Sequence, residues 1–143
     1  MTLRRRQWLM FALAPAWPAA ATPEALEAAV KGFVGNATLR SGRVTLEVAP
    51  LVENGNTVPI TISVESPMTA ADHVRTIAIY NERNPQHEVA VFQLGPRNGR
   101  ALVSTRMRLA TSQQLVALAR MNDGSCWQAR VDVIVTLAAC IEG

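Results

Sequence analysis

From Arg43 onward, apolar and polar residues alternate with a period of two, a pattern typical of β-strands that bury one face. Seven segments have this character: 44–48, 58–64, 74–80, 89–94, 101–109, 114–121 and 126–137. Turn residues such as Asn54-Gly55-Asn56 and Asn122-Asp123-Gly124 separate them. Short strands at this spacing predict an all-β fold, an immunoglobulin-like antiparallel β-sandwich of about seven strands over residues 37–137.

The last segment shows which of its residues face the core. Trp127 begins an apolar set that continues at every second residue to Leu137, and this set is predicted to point inward. Cys126 lies on the same strand face as the polar residues Gln128 and Arg130, so we expect it to be partly exposed. In the third segment, Val74 is out of phase with the residues that follow it, and a turn is predicted at its start.

A short helix is predicted before the sandwich, over residues 22–36. Thr22 is a good N-cap, Pro23 suits the first helical position and Glu24 favours the positive end of the helix dipole. Apolar residues recur at helical spacing from Leu26, and Gly35 offers a stop. The apolar face of so short a helix needs another element to pack against.

Residues 1–21 have the features of a cleavable export signal. Arg4-Arg5-Arg6 precedes a short apolar run, and Ala19-Ala20-Ala21 provides small residues for cleavage. The apolar run is far shorter than the roughly 20 residues that span a bilayer, so no membrane anchor is expected. Arg5-Arg6 with the residues after it resembles a twin-arginine signal. These features predict export to a bacterial periplasm, by the twin-arginine route.

Charge and motifs exclude several classes of function. The chain has 14 basic and 11 acidic residues, but three of the arginines lie in the leader, which leaves a neutral body without the basic surface of a nucleic-acid-binding protein. No phosphate-binding loop, nucleophile elbow or zinc-protease motif is present. His73 and His87 lack a third ligand at metal-binding spacing, so neither a metal nor a cofactor is expected. These absences argue against a conventional enzyme.

The two cysteines are the remaining reactive groups, and an exported protein with two cysteines by default forms one disulfide. Here Cys126 and Cys140 bracket a single predicted strand, which separates their Cα atoms by roughly 45 Å. A disulfide needs about 5.5 Å, so the bridge is excluded unless the segment folds back. Cys140, on the terminal segment 138–143, is the better candidate for an accessible thiol. It could serve as a covalent attachment point or as an intermolecular disulfide partner.

Several motifs together resemble the SoxY family, the sulfur carriers of the bacterial Sox thiosulfate-oxidation system. The resemblance extends from about residue 43 to the end of the chain. It is carried by the stretches Glu53-Asn54-Gly55-Asn56-Thr57-Val58-Pro59, Glu65-Ser66-Pro67-Met68-Thr69, Asn84-Pro85, Ser104-Thr105-Arg106, Asp123-Gly124-Ser125 with Trp127, and Val135-Thr136-Leu137 before a terminal cysteine.

The resemblance implies a covalent carrier that performs no catalysis itself. Its partner would be a SoxZ-like subunit in a heterodimer, and Cys140 would be the site of covalent sulfur attachment, on a C-terminal arm formed by residues 138–143. A haem protein would join thiosulfate oxidatively to that sulfur, a second enzyme would hydrolyse off sulfate, and a further enzyme would oxidise the remaining sulfur.

The arm itself departs from the family pattern. The family's arm is typically Gly-Gly-Cys-Gly-Gly, whereas here the cysteine lies within Ala138-Ala139-Cys140-Ile141-Glu142. Alanine stiffens the backbone, Ile141 adds bulk, and Glu142 disfavours a neighbouring thiolate. Either the partner enzymes have wider, differently charged entrances, or the chain is a divergent paralogue with altered or lost loading, a non-reactive immunoglobulin-like interaction subunit. A separate alternative is a redox protein that forms a reversible homodimer through Cys140.

Overall fold

The computed structural model describes residues 22–137. The predicted leader (1–21) and the C-terminal arm with Cys140 lie outside the described residues. The described chain forms one helix and nine strands: α1 (Pro23–Val34), β1 (Leu39–Ser41), β2 (Val44–Glu47), β3 (Leu51–Val52), β4 (Val58–Val64), β5 (Val74–Asn81), β6 (Glu88–Gln93), β7 (Leu102–Met107), β8 (Gln113–Met121) and β9 (Cys126–Val135).

The strands form two sheets that face each other. The larger sheet has the order β1-β9-β8-β5-β6, and β3 also pairs with β9. The smaller sheet has the order β2-β4-β7, with antiparallel pairs throughout. Strands β5, β8 and β9 are antiparallel neighbours, so the end of β5 and the end of β9 lie at the same end of the sandwich. The prediction of an immunoglobulin-like sandwich is confirmed.

The main core lies between the two sheets and follows the alternation read from the sequence. Val58, Ile60, Ile62 and Val64 of β4 are buried, and every second residue of β9 from Trp127 to Val135 packs against the same core. The predicted inward face of the last segment is therefore confirmed up to Val135. Leu137 does not continue it: β9 ends at Val135, and Leu137 is 62% exposed.

Helix α1 begins and ends where the sequence predicts. The Thr22 hydroxyl accepts a hydrogen bond from the Ala25 amide at 3.2 Å, and Pro23 occupies the first turn. The chain leaves the helix at Gly35, whose φ of 62° lies in the region that favours glycine. The amide of Gly35 donates to the Lys31 carbonyl at 2.9 Å and closes the last turn.

The helix packs on the outer face of the larger sheet and forms a second core there. Leu26, Val30 and Val34 contact a set of buried residues from three strands: Ala78, Tyr80, Val116, Leu118 and Cys126. The prediction that Cys126 is partly exposed is therefore wrong. Cys126 lies on the predicted face of the strand, together with Gln128 and Arg130. However, α1 covers this face at Cys126, and the residue is 0% exposed.

Two side chains of the larger sheet also bind the helix through hydrogen bonds. Arg130 on β9 contacts the Glu27 carboxylate with both of its terminal nitrogens, the longer contact being 3.3 Å. Arg120 on β8 donates to the backbone carbonyl of Phe33 in the last turn. This carbonyl belongs to the negative end of the helix dipole, where a cation is favourable.

Two features add to the predicted strand pattern. Strands β1 and β3 are short and pair in parallel with the beginning and the end of β9. They were missed because two or three residues are too few to show a period. Strand β5 begins at Val74, where a turn is predicted, but the register shifts between Val74 and Thr76. A bulge, rather than a turn, accounts for the change of phase.

Candidate functional site

Backbone hydrogen bonds fix the point from which the chain leads to Cys140. The amide of Thr136 donates to the carbonyl of Val52 at 2.9 Å, and the carbonyl of Leu137 accepts from the amide of Gly55 at 2.9 Å. Residues 136–137 are thus bound to the chain that runs from β3 to β4. Cys140 follows three residues later, so its Cα lies within roughly 11 Å of the Leu137 Cα.

The geometry of β9 decides the question of an internal disulfide. Cys126 begins this strand and Val135 ends it, so their Cα atoms are about 30 Å apart. The five residue steps from Val135 to Cys140 span at most about 18 Å. A disulfide joins Cα atoms less than about 7 Å apart. An intramolecular bridge between Cys126 and Cys140 is therefore excluded, and Cys126 is a free thiol.

The surroundings of Cys126 make it a poor nucleophile. Among the described residues, its thiol has the Gly124 carbonyl as its polar contact, at 3.8 Å. Burial beneath α1 raises the pKa of the thiol, and the nearby charge of Asp123 acts in the same direction, whereas Arg120 lowers it. Because the thiolate is the reactive form, a buried thiol with a raised pKa is inert in the folded protein.

Two hollows lie at the end of the sandwich from which the arm leaves. A groove of about 760 Å³ runs between β2, β3 and β4, and both Glu47 and Glu53 line it. A cavity of about 400 Å³ lies between the β5–β6 connection and the end of β7, and Arg106 and Arg108 line it. We call these the glutamate groove and the arginine cavity. They differ in the sign of the charge that they offer.

The outer face of β9 also exposes apolar side chains near the start of the arm. Leu51 on β3 is the register partner of Ile134 on β9, and the two side chains are 58% and 59% exposed. Helix α1 covers the outer face near Cys126, but these two residues lie close to the other end of the strand. Together they form a small exposed apolar patch on this face.

Trp127 has a polar as well as an apolar environment. It packs against the main core, as its position on the inward face predicts, but it remains half-buried. The guanidinium groups of Arg40 and Arg43 lie 5.9 Å and 5.3 Å from its ring centre, within the range of a cation–π contact. The indole N–H donates to the Ser125 hydroxyl at 3.2 Å. All of these contacts lie at the end of the sandwich far from the arm.

The two histidines are held by backbone carbonyls. His73 Nδ1 lies 2.9 Å from the Thr69 carbonyl, and His87 Nδ1 lies 2.9 Å from the Asn81 carbonyl. Among residues 22–137, no group of three or more His, Cys, Asp or Glu side chains could hold a metal ion. Within the same residues, no helix is both long and apolar enough to cross a membrane.

A partly buried polar network at the arm end was not identified as a site from the sequence. Asn84 donates to the Arg108 carbonyl at 2.7 Å and accepts from the amide of Ala110 at 2.9 Å. Its side-chain oxygen also accepts from Gln113 Nε2 at 2.9 Å, and Gln113 is itself buried. The only sequence signal was Asn84-Pro85, which indicates a turn. Nothing in that dipeptide shows that the turn holds the wall of a cavity.

The sequence matches one protein family. The family model described as "Sulfur oxidation protein SoxY" matches residues 30–140, which is most of the chain and includes the position of Cys140. A search of curated proteins found no significant match.

The fold is also similar to that of solved structures. The structure of the sulfur carrier protein SoxY from Chlorobium limicola f thiosulfatophilum is 27% identical, with a TM-score of 0.66, and the match covers 78% of this chain and 96% of that one. A superoxide reductase (neelaredoxin) from Ignicoccus hospitalis is 21% identical, with a TM-score of 0.58, over 81% of this chain and 94% of the other. At that identity the second likeness concerns the fold alone.

Proposed function

The chain belongs to the SoxY family of sulfur oxidation proteins, and from this premise we propose that it holds sulfur intermediates of thiosulfate oxidation covalently on Cys140. Membership of the family and the likeness to a sulfur carrier of solved structure support a carrier role in sulfur oxidation. The attachment residue, the chemistry and the partners are our proposal.

The burial of Cys126 is the observation that carries the choice of Cys140. The chain contains two cysteines, and a carrier needs a thiolate that successive enzymes can reach. Cys126 is fully buried beneath α1, and burial raises its pKa. The strand between the two residues also prevents them from forming a bridge with each other. Cys140 is the thiol that remains for attachment.

The proposed chemistry has two balanced steps. In the first, the Cys140 thiolate and thiosulfate form a sulfur–sulfur bond and give up two electrons to a haem protein: R–S⁻ + S₂O₃²⁻ → R–S–S–SO₃⁻ + 2e⁻. In the second, a hydrolase cleaves the terminal sulfur–sulfur bond: R–S–S–SO₃⁻ + H₂O → R–S–S⁻ + SO₄²⁻ + 2H⁺. The persulfide that remains is the substrate for further oxidation. Covalent tethering keeps a reactive intermediate at high effective concentration near each enzyme.

The proposal includes partners and a location. A SoxZ-like subunit completes a heterodimer, and the loading, hydrolysing and oxidising enzymes act on the arm in turn. The leader features of residues 1–21 support export to the periplasm by the twin-arginine route. The exposed pair of Leu51 and Ile134 near the start of the arm is available for contact with one of these partners.

Intact mass and peptide mapping test the attachment. The heterodimer is incubated with thiosulfate and the haem loading enzyme and then digested with trypsin. Cleavage after Arg120 and Arg130 places Cys126 in peptide 121–130 and Cys140 in peptide 131–143. We expect the mass of one thiosulfonate group on peptide 131–143 and none on peptide 121–130.

Two single-cysteine variants complete this experiment. Cys140→Ser abolishes loading, whereas Cys126→Ala is loaded like the native chain. An unmodified peptide 131–143 under loading conditions, in a heterodimer that is otherwise folded, would contradict the proposal. It would favour the non-reactive interaction subunit. Loss of activity on reduction of a Cys140-linked homodimer would favour the redox alternative.

A further inference from the structure

The arginine cavity lies at the same end of the sandwich as the start of the arm. Its lining comes from the β5–β6 connection on one side, including Asn84 and Gln86, and from the end of β7 on the other. Arg106 and Arg108 contribute to the second side, and both are exposed. Within residues 22–137, neither guanidinium group makes an ion pair or a hydrogen bond. Two arginines on one concave surface that are unpaired among the described residues attract an oxyanion.

The cavity wall is directly connected to the start of the arm. The amide of Leu109, the neighbour of Arg108, donates to the carbonyl of Gly55 at 2.8 Å. The amide of the same Gly55 donates to the carbonyl of Leu137 at 2.9 Å. Two backbone pairs and one peptide unit therefore separate Leu137 from Arg108, a distance of about 15 Å or less between Cα atoms.

The arm is long enough to reach the cavity. Cys140 lies within roughly 11 Å of Leu137, which is the length of three fully extended residue steps. Its side chain and the two sulfur–sulfur bonds of a thiosulfonate adduct, each about 2 Å, extend this reach toward the cavity. Arg106 and Arg108 have long side chains that extend in turn toward an incoming anion.

Charge distinguishes the arginine cavity from the glutamate groove. The thiosulfonate adduct carries one negative charge on three oxygens. The groove is nearer to residues 136–137, but it is lined by Glu47 and Glu53 and by no Arg or Lys. The cavity has two arginines against the single carboxylate of Glu88. An anion at the end of the arm is therefore repelled by the groove and attracted by the cavity.

The cavity wall is also held in place before any ligand arrives. The Asn84 side chain binds the Arg108 carbonyl and the Ala110 amide, so the segment after β7 is fixed to the β5–β6 connection. Asn81 is buried and binds the Asn84 amide at 3.0 Å and the Gln86 carbonyl at 2.7 Å. A site whose backbone is fixed loses less entropy on binding than a mobile one.

From these observations we propose that the arginine cavity is an oxyanion site that binds the sulfonate of the loaded arm through Arg106 and Arg108. The inference rests on the proposed attachment to Cys140. Its physical consequence is a sulfonate held at Arg106 and Arg108 until a partner enzyme competes for it.

Chemical loading tests this site without any Sox enzyme. Tetrathionate converts an accessible thiolate into the same adduct: R–S⁻ + S₄O₆²⁻ → R–S–S–SO₃⁻ + S₂O₃²⁻. The side-chain Nε–Hε signals of the arginines are then compared by NMR between the unloaded and the loaded chain. We expect Arg106 and Arg108 to shift on loading, and the shifts to decrease with added salt because salt screens exposed charges.

A kinetic measurement gives the expected size of the effect. Release of the adduct by tris(hydroxypropyl)phosphine, a reductant that is uncharged in its reactive form, is slower when the sulfonate is bound. Two exposed ion pairs support a retardation of about two- to tenfold relative to the double variant Arg106→Gln/Arg108→Gln. Arg97→Gln/Arg100→Gln is the matched control, because these two exposed arginines belong to the β6–β7 connection at the opposite end of the sandwich.

A further variant separates the sulfonate from the side-chain carboxylate of Glu142. Glu142→Gln keeps the loading-dependent shifts and the retardation if the sulfonate is the ligand. Signals of Arg106 and Arg108 that do not respond to loading, or release rates that are equal in the native chain and in the double variant, overturn the inference. Those results leave the attachment to Cys140 intact, since tetrathionate loading and its mapping to peptide 131–143 are scored separately.

Discussion

The carbonyl of Leu137 accepts a hydrogen bond from the amide of Gly55 at 2.9 Å, and this bond fixes the point from which the C-terminal arm departs. Gly55 is buried, and its own carbonyl accepts from the amide of Leu109. The start of the arm is therefore joined to two other connections at one end of the sandwich. A carrier benefits from this arrangement because the arm leaves a rigid base at a defined place.

The two thiols should differ sharply in reactivity. In the folded chain we expect one equivalent of thiol to react rapidly with Ellman's reagent at pH 8 and the second, Cys126, to react at least about a hundredfold more slowly. Burial under α1 and the raised pKa of Cys126 are the reasons. In a strong denaturant both should react at the same rate. Rapid reaction of both thiols in the native chain would show that α1 does not seal the outer face.

Removing the packing of α1 should expose Cys126. Leu26 is 1% exposed and contacts the cluster that includes Cys126, so Leu26→Ala should lower the free energy of unfolding by about 2–5 kcal/mol. It should also accelerate modification of Cys126 in the native chain. Lys31→Ala, on the exposed face of the same helix, is the control and should change stability by less than about 0.5 kcal/mol. Urea unfolding and thiol kinetics measure the two effects.

The ion pair between Glu27 and Arg130 should give a small acid-dependent contribution to stability. The hydrogen bond from Arg130 lowers the pKa of Glu27 below its ordinary value of 4.5, and the charge of Arg130 adds to this effect, while burial opposes it. Since the folded pKa lies below the unfolded one, the stabilisation is complete above pH 4.5 and is lost as the pH falls through the folded pKa. The Glu27 side chain is 57% exposed, so we expect less than about 1 kcal/mol, decreasing with salt.

Glu27→Gln measures this contribution by unfolding at neutral and acid pH. The variant should be slightly less stable than the native chain at pH 7 and should approach it in stability near pH 3. Glu47→Gln is the control, since Glu47 makes no ion pair within residues 22–137. A difference between native chain and Glu27→Gln that stays constant from pH 7 to pH 3 would exclude the ion pair as its cause.

Asn84 should contribute more to the free energy of unfolding than is usual for a residue in a surface connection. Asn84→Ala removes three hydrogen bonds and leaves the amide group of the buried Gln113 with the Thr111 carbonyl as its remaining acceptor. We expect a loss of about 2–3 kcal/mol in the free energy of unfolding, because unsatisfied buried donors are costly. Asn98→Ala, which removes a single hydrogen bond to the Gly95 amide in an exposed turn, should cost less than about 1 kcal/mol. Equal losses in both variants would mean that the network does not hold the wall of the arginine cavity.

Local patterns in the sequence were sufficient to predict most of the helix and strand elements of the fold. The seven alternating segments became strands β2 and β4–β9 because a period of two leaves one face to be buried, whichever strand lies alongside. Helix α1 begins after Thr22 and ends before Gly35 because capping is decided by a few neighbouring residues. The strands β1 and β3 were missed because their pairing depends on the edge of β9 and not on their own composition.

The environment of the cysteines shows the limit of such patterns. The sequence alone determined which face of its strand carries Cys126, because the alternation of side chains along a strand is a property of the backbone. It also predicted that the second thiol, Cys140, follows the last strand. Only the tertiary structure decided that the outer face around Cys126 is closed, since α1 is remote in sequence and packs there through Leu26, Val30 and Val34. In the same way, only the folded chain brings Arg106 and Arg108 to the end from which the arm departs, because that proximity depends on long-range pairing between strands.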